Sequence, residues 1–158
     1  VTRDGEEQQI GAPLAVYHPP ATAFAARVLG SPSINLIPGE LQTGPDGALL
    51  LAGDGFAISL PSRLAGAAAA APSRQVLLGA RPEDIAITDG GAGLPVRIDL
   101  VEPMGSLNVI YASAGAARIV ATVGPSAVFA AGSTVAAAFD PERLHLFDAA
   151  SGAALPAG

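Results

Sequence analysis

A mainly β domain, closed as a barrel or stacked as a sandwich, is the fold class this sequence predicts. Three observations carry that expectation. From Ile34 to Asp148 the chain breaks into ten short runs, of period two or continuously apolar, at 34–37, 48–52, 55–60, 76–80, 85–88, 95–102, 107–112, 117–123, 134–139 and 144–148. Each run is bounded by Gly, Pro, Asp or Asn, the punctuation of strands. The 19 glycines and 14 prolines among 158 residues favour many short elements joined by turns over a few long helices. Leu, Val, Ile and Phe amount to 42 residues, enough for a packed core, while 34 alanines point to thin, small-residue packing.

In chain order, residues 5–11 read as a short polar strand ended by Gly11, and Pro13 sits well as the first residue of a helix running to His18. Pro19-Pro20 stops that helix. A second helix is expected over Thr22–Leu29, with Phe24, Ala25 and Val28 on one stripe and Gly30 as its close. Ser31-Pro32 then marks a domain boundary, and the strand pattern begins. Leu64–Ala71 is an Ala-rich connector able to take a helical turn. Gly90-Gly91-Ala92-Gly93 is a loop without the GxGxxG spacing of a dinucleotide site. No tandem repeat is visible.

The 21 uncharged residues between Arg118 and Asp140 are long enough to cross a bilayer. Gly124-Pro125-Ser126 and Gly132-Ser133-Thr134 divide them, however, and residues 117–123 alternate with period two, so two strands are expected there. The N-terminus has neither the basic start nor the apolar stretch of a signal peptide.

Several chemistries are excluded by composition. All eight basic residues are Arg, so the chain has no phosphate-loop lysine, Schiff base or pyridoxal attachment. With no Cys it has no disulfide, thiolate nucleophile or cysteine zinc site. A net charge of −6 without a basic cluster argues against nucleic acid as a partner. His18 and His145 are the only histidines and lack a second ligand at metal spacing; His145 is expected to point out of a strand between Leu144 and Leu146. No GxSxG surrounds a serine. Catalytic, cofactor-binding and metal residues are therefore all expected to be absent.

Two segments share one design: Arg81-Pro82-Glu83-Asp84 and Asp140-Pro141-Glu142-Arg143 each start a helical turn at a proline, with acids where the helix dipole favours them. They read either as turn architecture or as guanidinium forks that hold a neighbouring domain or subunit through carboxylates.

Residues 5–35, GEEQQIGAPLAVYHPPATAFAARVLGSPSIN, resemble the end of the nucleotide-binding domain in the ATP-binding subunits of carbohydrate-type ABC importers, the group of the maltose and glycerol-3-phosphate ATPases. The matching positions include Gln9, Gly11, Pro13, Tyr17, Pro20, Phe24, Ala26, Gly30, Ser31, Pro32 and Asn35. LLGARPEDI at 77–85, VEPMGSLNVIY at 101–111 and FDPERLHLFD at 139–148 agree in order with that family's transport-associated OB (TOBE) region. The resemblance implies a small-barrel, OB-like module over residues 31–150, preceded by a strand-helix-helix remnant of the nucleotide-binding domain over 1–30 and followed by a tail over 151–158. Glu6 and Glu7 depart from the family, which has a basic and then an apolar residue there.

The resemblance also implies a role. The family's phosphate loop, signature, Walker B acid and switch histidine lie upstream of the segment matching Val1, so ATP and Mg belong to the parent subunit and this chain is expected not to be an enzyme. A regulatory, dimerising region is expected, with a second copy, the nucleotide-binding domain, indirectly the permease subunits, and a regulatory protein as partners, on the cytoplasmic face of the cell membrane. Arg81, Glu83, Glu102 and Arg143, with the apolar Phe24 and Val28, are the candidate interface residues. The alternative is an oxyanion sensor of the molybdate type, for which Ser106 after Gly105 and the turn Gly124–Ser126 are the candidate segments.

Overall fold

The computed structural model describes residues 2–3, 6–7, 22–23 and 32–156. Thr2–Arg3 (β1) and Glu6–Glu7 (β2) pair antiparallel, Thr2 with Glu7 and Arg3 with Glu6. Strand pairing thus begins ahead of residue 5, where the sequence reading starts its first strand, and of the polar strand read over 5–11 only Glu6–Glu7 is among the described residues. The expected helix over 13–18, His18, Phe24, Val28 and most of the 22–29 helix lie outside the described residues.

Two sheets hold the remaining strands. The six-stranded sheet has the order β13-β12-β6-β3-β4-β5, built from Asn35–Thr43 (β3), Leu49–Gly53 (β4), Phe56–Ser59 (β5), Gln75–Ala80 (β6), His145–Asp148 (β12) and Ala154–Leu155 (β13). The five-stranded sheet has the order β10-β9-β8-β11-β7, built from Ile85–Thr88 (β7), Leu94–Pro103 (β8), Asn108–Ala114 (β9), Ala117–Val123 (β10) and Thr134–Phe139 (β11). Every pairing is antiparallel. Strands β8, β9 and β10 form a meander and β11 returns beside β8, which is the 4-1-2-3 order of a Greek key. The outer strands β7 and β10 lie against one another, so the sheet curls nearly shut as an OB-like barrel. A register shift between Ile98 and Leu100 leaves Asp99 as the extra residue of a bulge, a device that bends a strand for such closure.

The period-two alternation explains the core. Val96, Ile98, Ile110, Ala112, Ile119 and Ala121 point into the barrel and are buried. They merge with Ile37, Leu41, Leu51 and Ile58 of the six-stranded sheet into one apolar cluster, so the chain is both barrel and sandwich. Burial of this kind stabilises by about 25 cal/mol per Å² removed from water. A smaller cluster covers the other face of the six-stranded sheet, where Phe147 packs with Ala23 and Ile34. Its ring crosses Gly79, where an added Cβ would lie 2.7 Å from Phe147 Cε2.

Two elements differ from the sequence reading, and the Ala-rich connector takes the helical turn it was read as able to form. Strand β3 continues past Pro38 and Gly39 to Thr43. Pro38 is tolerated because β3 pairs with β6 over Asn35–Glu40 but with β4 only over Glu40–Thr43, so at Pro38 only one side of the strand carries a ladder. The segment read as a tail from residue 151 contributes β13, paired with β12. The Ala-rich connector becomes a 3-10 turn over Ser62–Leu64 followed by the one-turn helix Ala65–Ala70 (α1). Among the described residues no helix is long and apolar enough to cross a membrane.

Candidate functional site

The two Pro-led segments are the corners where the chain changes sheets. Arg81–Asp84 connects β6 to β7, and Asp140–Leu144 connects β11 back to β12. Pro82–Asp84 forms a 3-10 turn, with Arg81 extended ahead of it and the Asp84 N–H donating to the Arg81 carbonyl at 2.9 Å. In the second corner, Asp140 Oδ1 accepts from the Glu142 N–H at 3.0 Å and the Arg143 N–H donates to the Asp140 carbonyl at 3.1 Å. The Asp140 N–H donates to the Asp84 carbonyl at 3.0 Å, which ties one corner to the other.

These corners decide where the candidate residues go. Arg81 is 2% exposed, among the largest fully buried side chains. Its guanidinium lies inside the chain and away from any face a second subunit could reach. Glu83 and Arg143 are exposed. Glu83, Asp84 and Asp140 rim an open groove of about 560 Å³ beside Thr122 and Gly124. Among the described residues no group of three or more His, Cys, Asp or Glu is placed to hold a metal. His145 is half-buried between the buried Leu144 and Leu146, as the alternation predicts.

Glu102 stands at the far end of β8, away from the corners. It is exposed, and its Oε1 accepts from the Tyr111 hydroxyl at 3.3 Å. Partial burial, then the Glu102 charge and hydrogen bond, raise the Tyr111 phenol above its ordinary pKa. The oxyanion segments do meet at one end of the barrel: Asn108 Nδ2 donates to the Ala127 carbonyl at 3.5 Å, joining the β8–β9 tip to the loop after β10. Residues 103–108 and 124–133 contain no Arg, so that end offers hydroxyls without a cation for an anion. An apolar opening of about 500 Å³ lies between β5, β8 and β11, with Ser59 its one hydroxyl-bearing residue and no charged lining.

Three polar side chains that fasten the fold, at the joint of the two sheets, at the return corner and in the turn after β12, carried no functional signal in sequence. Asn35 Nδ2 donates to the Ala80 carbonyl at 3.0 Å and the Val120 carbonyl at 2.8 Å, and its Oδ1 accepts from the Val120 N–H at 2.7 Å. Arg63 donates through Nε to the Pro141 carbonyl at 2.5 Å and through Nη2 to the Leu144 carbonyl at 2.6 Å. Asp148, 5% exposed, accepts at Oδ2 from the Ser151 N–H at 2.8 Å and hydroxyl at 2.7 Å. The Ser151 hydroxyl and backbone bonds, opposed by desolvation, hold the Asp148 carboxyl below its ordinary value of 3.8. A polar residue in an apolar strand, as Asn35 is, was the one available hint.

The arrangement holds surfaces and joints, with no assembled catalytic group among the described residues. Comparison with known proteins agrees in register with this architecture. Residues 30–85 match the model of the MalK OB fold domain, and residues 78–147 match the model of the TOBE domain. The chain is 38% identical over 150 residues to the sn-glycerol-3-phosphate import ATP-binding protein UgpC of Chromobacterium violaceum, covering 94% of this chain and 39% of the relative. It is 34% identical over 152 residues to UgpC of Burkholderia mallei, covering 96% and 42%, and 34% identical over 154 residues to UgpC of Yersinia pestis bv. Antiqua, covering 96% and 41%. The chain thus spans about two fifths of the length of these relatives. Two consecutive domain models, the MalK OB fold domain and the TOBE domain, thus match this chain from residue 30 to residue 147, over a barrel packed on a sheet.

Proposed function

We propose that this chain is the regulatory and dimerising region of the ATP-binding subunit of a sugar or glycerol-3-phosphate importer of the ABC type. The observation that carries the reading is the alignment of 94–96% of the chain to proteins named sn-glycerol-3-phosphate import ATP-binding proteins. Residues 1–30 are the end of the nucleotide-binding domain and 31–150 the OB-like region, with the following segment adding strand β13 to its sheet. The parent subunit supplies ATP and Mg; the residues of this chain bind no cofactor and turn over no ATP. The subunit works at the cytoplasmic face of the membrane, beside its permease.

The physical task is tethering. Two motor domains that must open and close on ATP stay together if a rigid body at one end of each holds its twin, so that closure becomes a hinged motion. Such a tether raises the effective concentration of the two motor domains for one another. Two sheets sharing one core, fastened at both corners, give the stiffness a tether requires.

Sedimentation of the 158-residue chain together with an ATPase assay tests the proposal. Concentration-dependent self-association with ATP turnover at the buffer background is expected. ATP turnover above background, or a strictly monomeric chain up to about 1 mM, would overturn it.

A further inference from the structure

The geometry points to a strand-docking groove at the free edge of β5, in which a partner protein lays a short extended segment with uncharged, largely apolar side chains. The groove is independent of the dimerising reading above and stands or falls without it.

Strand β5 is the last of the six-stranded sheet, with β4 its one ladder partner. Just past it the Leu60 N–H donates to the Leu49 carbonyl at 2.9 Å, directly across the register. Bonded and non-bonded positions alternate along an antiparallel pair, so Ile58 and Phe56 also bond β4, whereas Ala57 and Ser59 turn their N–H and C=O groups away from it. Among the described residues, no backbone group outside β4 bonds to either. Two donors and two acceptors therefore point outward at the two-residue repeat of a strand, about 6.8 Å. Both residues line the apolar cavity of about 500 Å³ between β5, β8 and β11. The start of β8, on the other side, does not close it. The Ile98 N–H donates to the Ser133 carbonyl at 2.9 Å, so by the same alternation Val96 and Leu94 bond β11 and Pro95 turns the other way. Pairing with β9 begins only at Arg97, and Pro95 has no N–H to offer β5.

These groups select the occupant. Edge strands are ordinarily blunted by a charged side chain, a proline, a bulge or a covering element. β5 has no charge, no proline and no bulge, and its Ala57 and Ser59 are small and exposed. What complements alternating N–H and C=O groups at strand spacing is another backbone in extended conformation, the chemistry of strand addition. The cavity selects the side chains: with no charged residue in its lining, an ionised group entering it would lose hydration and meet no counter-charge. An uncharged, largely apolar segment fits both.

The probe is a blocked peptide, acetyl-Val-Thr-Val-Ala-Val-amide, added to the 158-residue chain and read by amide hydrogen exchange. At saturating peptide the Ala57 and Ser59 amides are expected to exchange about tenfold more slowly, while the Ile58 amide, already bonded to β4, is unchanged. Ser59→Pro removes one outward donor without touching the β4 ladder. It is expected to keep wild-type stability and to bind the peptide roughly tenfold more weakly, the loss of one hydrogen bond. Ala57→Glu, which sets a charge on the exposed edge and leaves the backbone as it is, is expected to weaken binding as well. The same peptide N-methylated at every residue keeps its side chains but cannot donate, and is expected not to bind. No protection of the two amides at millimolar peptide, a methylated peptide that binds as well as its parent, or wild-type affinity in either folded variant would overturn the groove.

Discussion

The side-chain amide of Asn35 is bonded to both backbone groups of Val120, donating to its carbonyl at 2.8 Å and accepting from its N–H at 2.7 Å. The two residues are 85 positions apart and belong to different sheets. Val120 lies on β10, an outer strand of the barrel sheet, whose outward N–H and C=O would otherwise remain a template for a foreign strand. An amide has the donor and acceptor of a peptide group, so Asn35 caps the edge as a short piece of strand would. The same Nδ2 also reaches the Ala80 carbonyl at 3.0 Å, beside the corner that leads to β7.

Replacing Asn35 by Ala removes all three bonds and leaves partly buried backbone groups without them, which costs roughly 2 kcal/mol. A fall of roughly 6 °C in thermal midpoint is expected for a body of this size. Asn35→Asp keeps the shape but sets a carboxylate against two carbonyls, so at pH 7 it is expected to be the more damaging change. Urea unfolding followed by circular dichroism measures both; a variant of either kind as stable as wild type would refute the capping role.

The turns of the two sheets also meet, at Gly55 and Gly115. Both have positive φ, +80° and +55°, and a Cβ on Gly55 would lie 2.8 Å from Gly115 Cα. A Cβ on Gly115 would collide with the Asp54 carbonyl oxygen, whose bond from the Ala116 N–H, at 2.7 Å, joins the turns. Gly115→Ala is therefore expected to cost roughly 3 kcal/mol, strain and displacement together. Gly47 has φ +82° with nothing within 4 Å of an added Cβ, so Gly47→Ala shows the strain alone, about 1 kcal/mol. Equal losses in the two variants, read from denaturant midpoints, would show that the contact between turns contributes nothing.

Arg63 fastens the return corner by bonds to the Pro141 and Leu144 carbonyls. The planar fork of guanidinium donors serves two acceptors at once, which an ammonium group does in a different geometry. Arg63→Lys is expected to behave nearly as Arg63→Ala, each losing roughly 1 kcal/mol. The local signature is faster amide hydrogen exchange at Arg143, whose N–H bonds the Asp140 carbonyl, with the barrel strands unchanged. Full protection of that amide in Arg63→Lys would show that charge alone holds the corner.

Much of the fold was legible because strands punctuated by Gly and Pro advertise themselves locally. The runs at 85–88, 117–123 and 134–139 coincide with β7, β10 and β11, where β-branched residues alternate between sharp turns. Local signals end where partners are distant. Pro38 and Gly39 read as a stop, yet β3 passes through them because only β6 flanks it there. Arg81 reads as an exposed fork on a Pro turn, but its corner is covered from both sheets and the side chain is buried. Asn35 announces that it needs partners without naming Val120. The bulge at Asp99 depends on the register of β8 against β9, which periodicity does not specify.

Asp148 joins the last corner of the sheet to the N-terminal side of the chain. Its carboxylate holds Ser151, the Gly152 N–H donates to the Asp148 carbonyl at 2.8 Å, and the Gly152 carbonyl accepts from the Ala23 N–H at 2.8 Å. Thr22 bridges Ala153, so the turn ordered by Asp148 is the one on which residues 22–23 rest. The folded carboxyl sits below its ordinary value of 3.8, so its stabilisation is complete above that value and is lost as pH falls through the lower, folded one. Asp148→Asn keeps an acceptor but has no charge to lose. Wild type is therefore expected to exceed Asp148→Asn in stability at pH 7, with the gap closing below 3.8; urea midpoints of both proteins across that range measure it. Ser151→Ala, which deletes one of the two bonds to Oδ2, is expected to narrow the gap at pH 7 and to speed exchange of the Ala23 amide. A gap independent of pH would mean that the Asp148 charge plays no part in holding the turn.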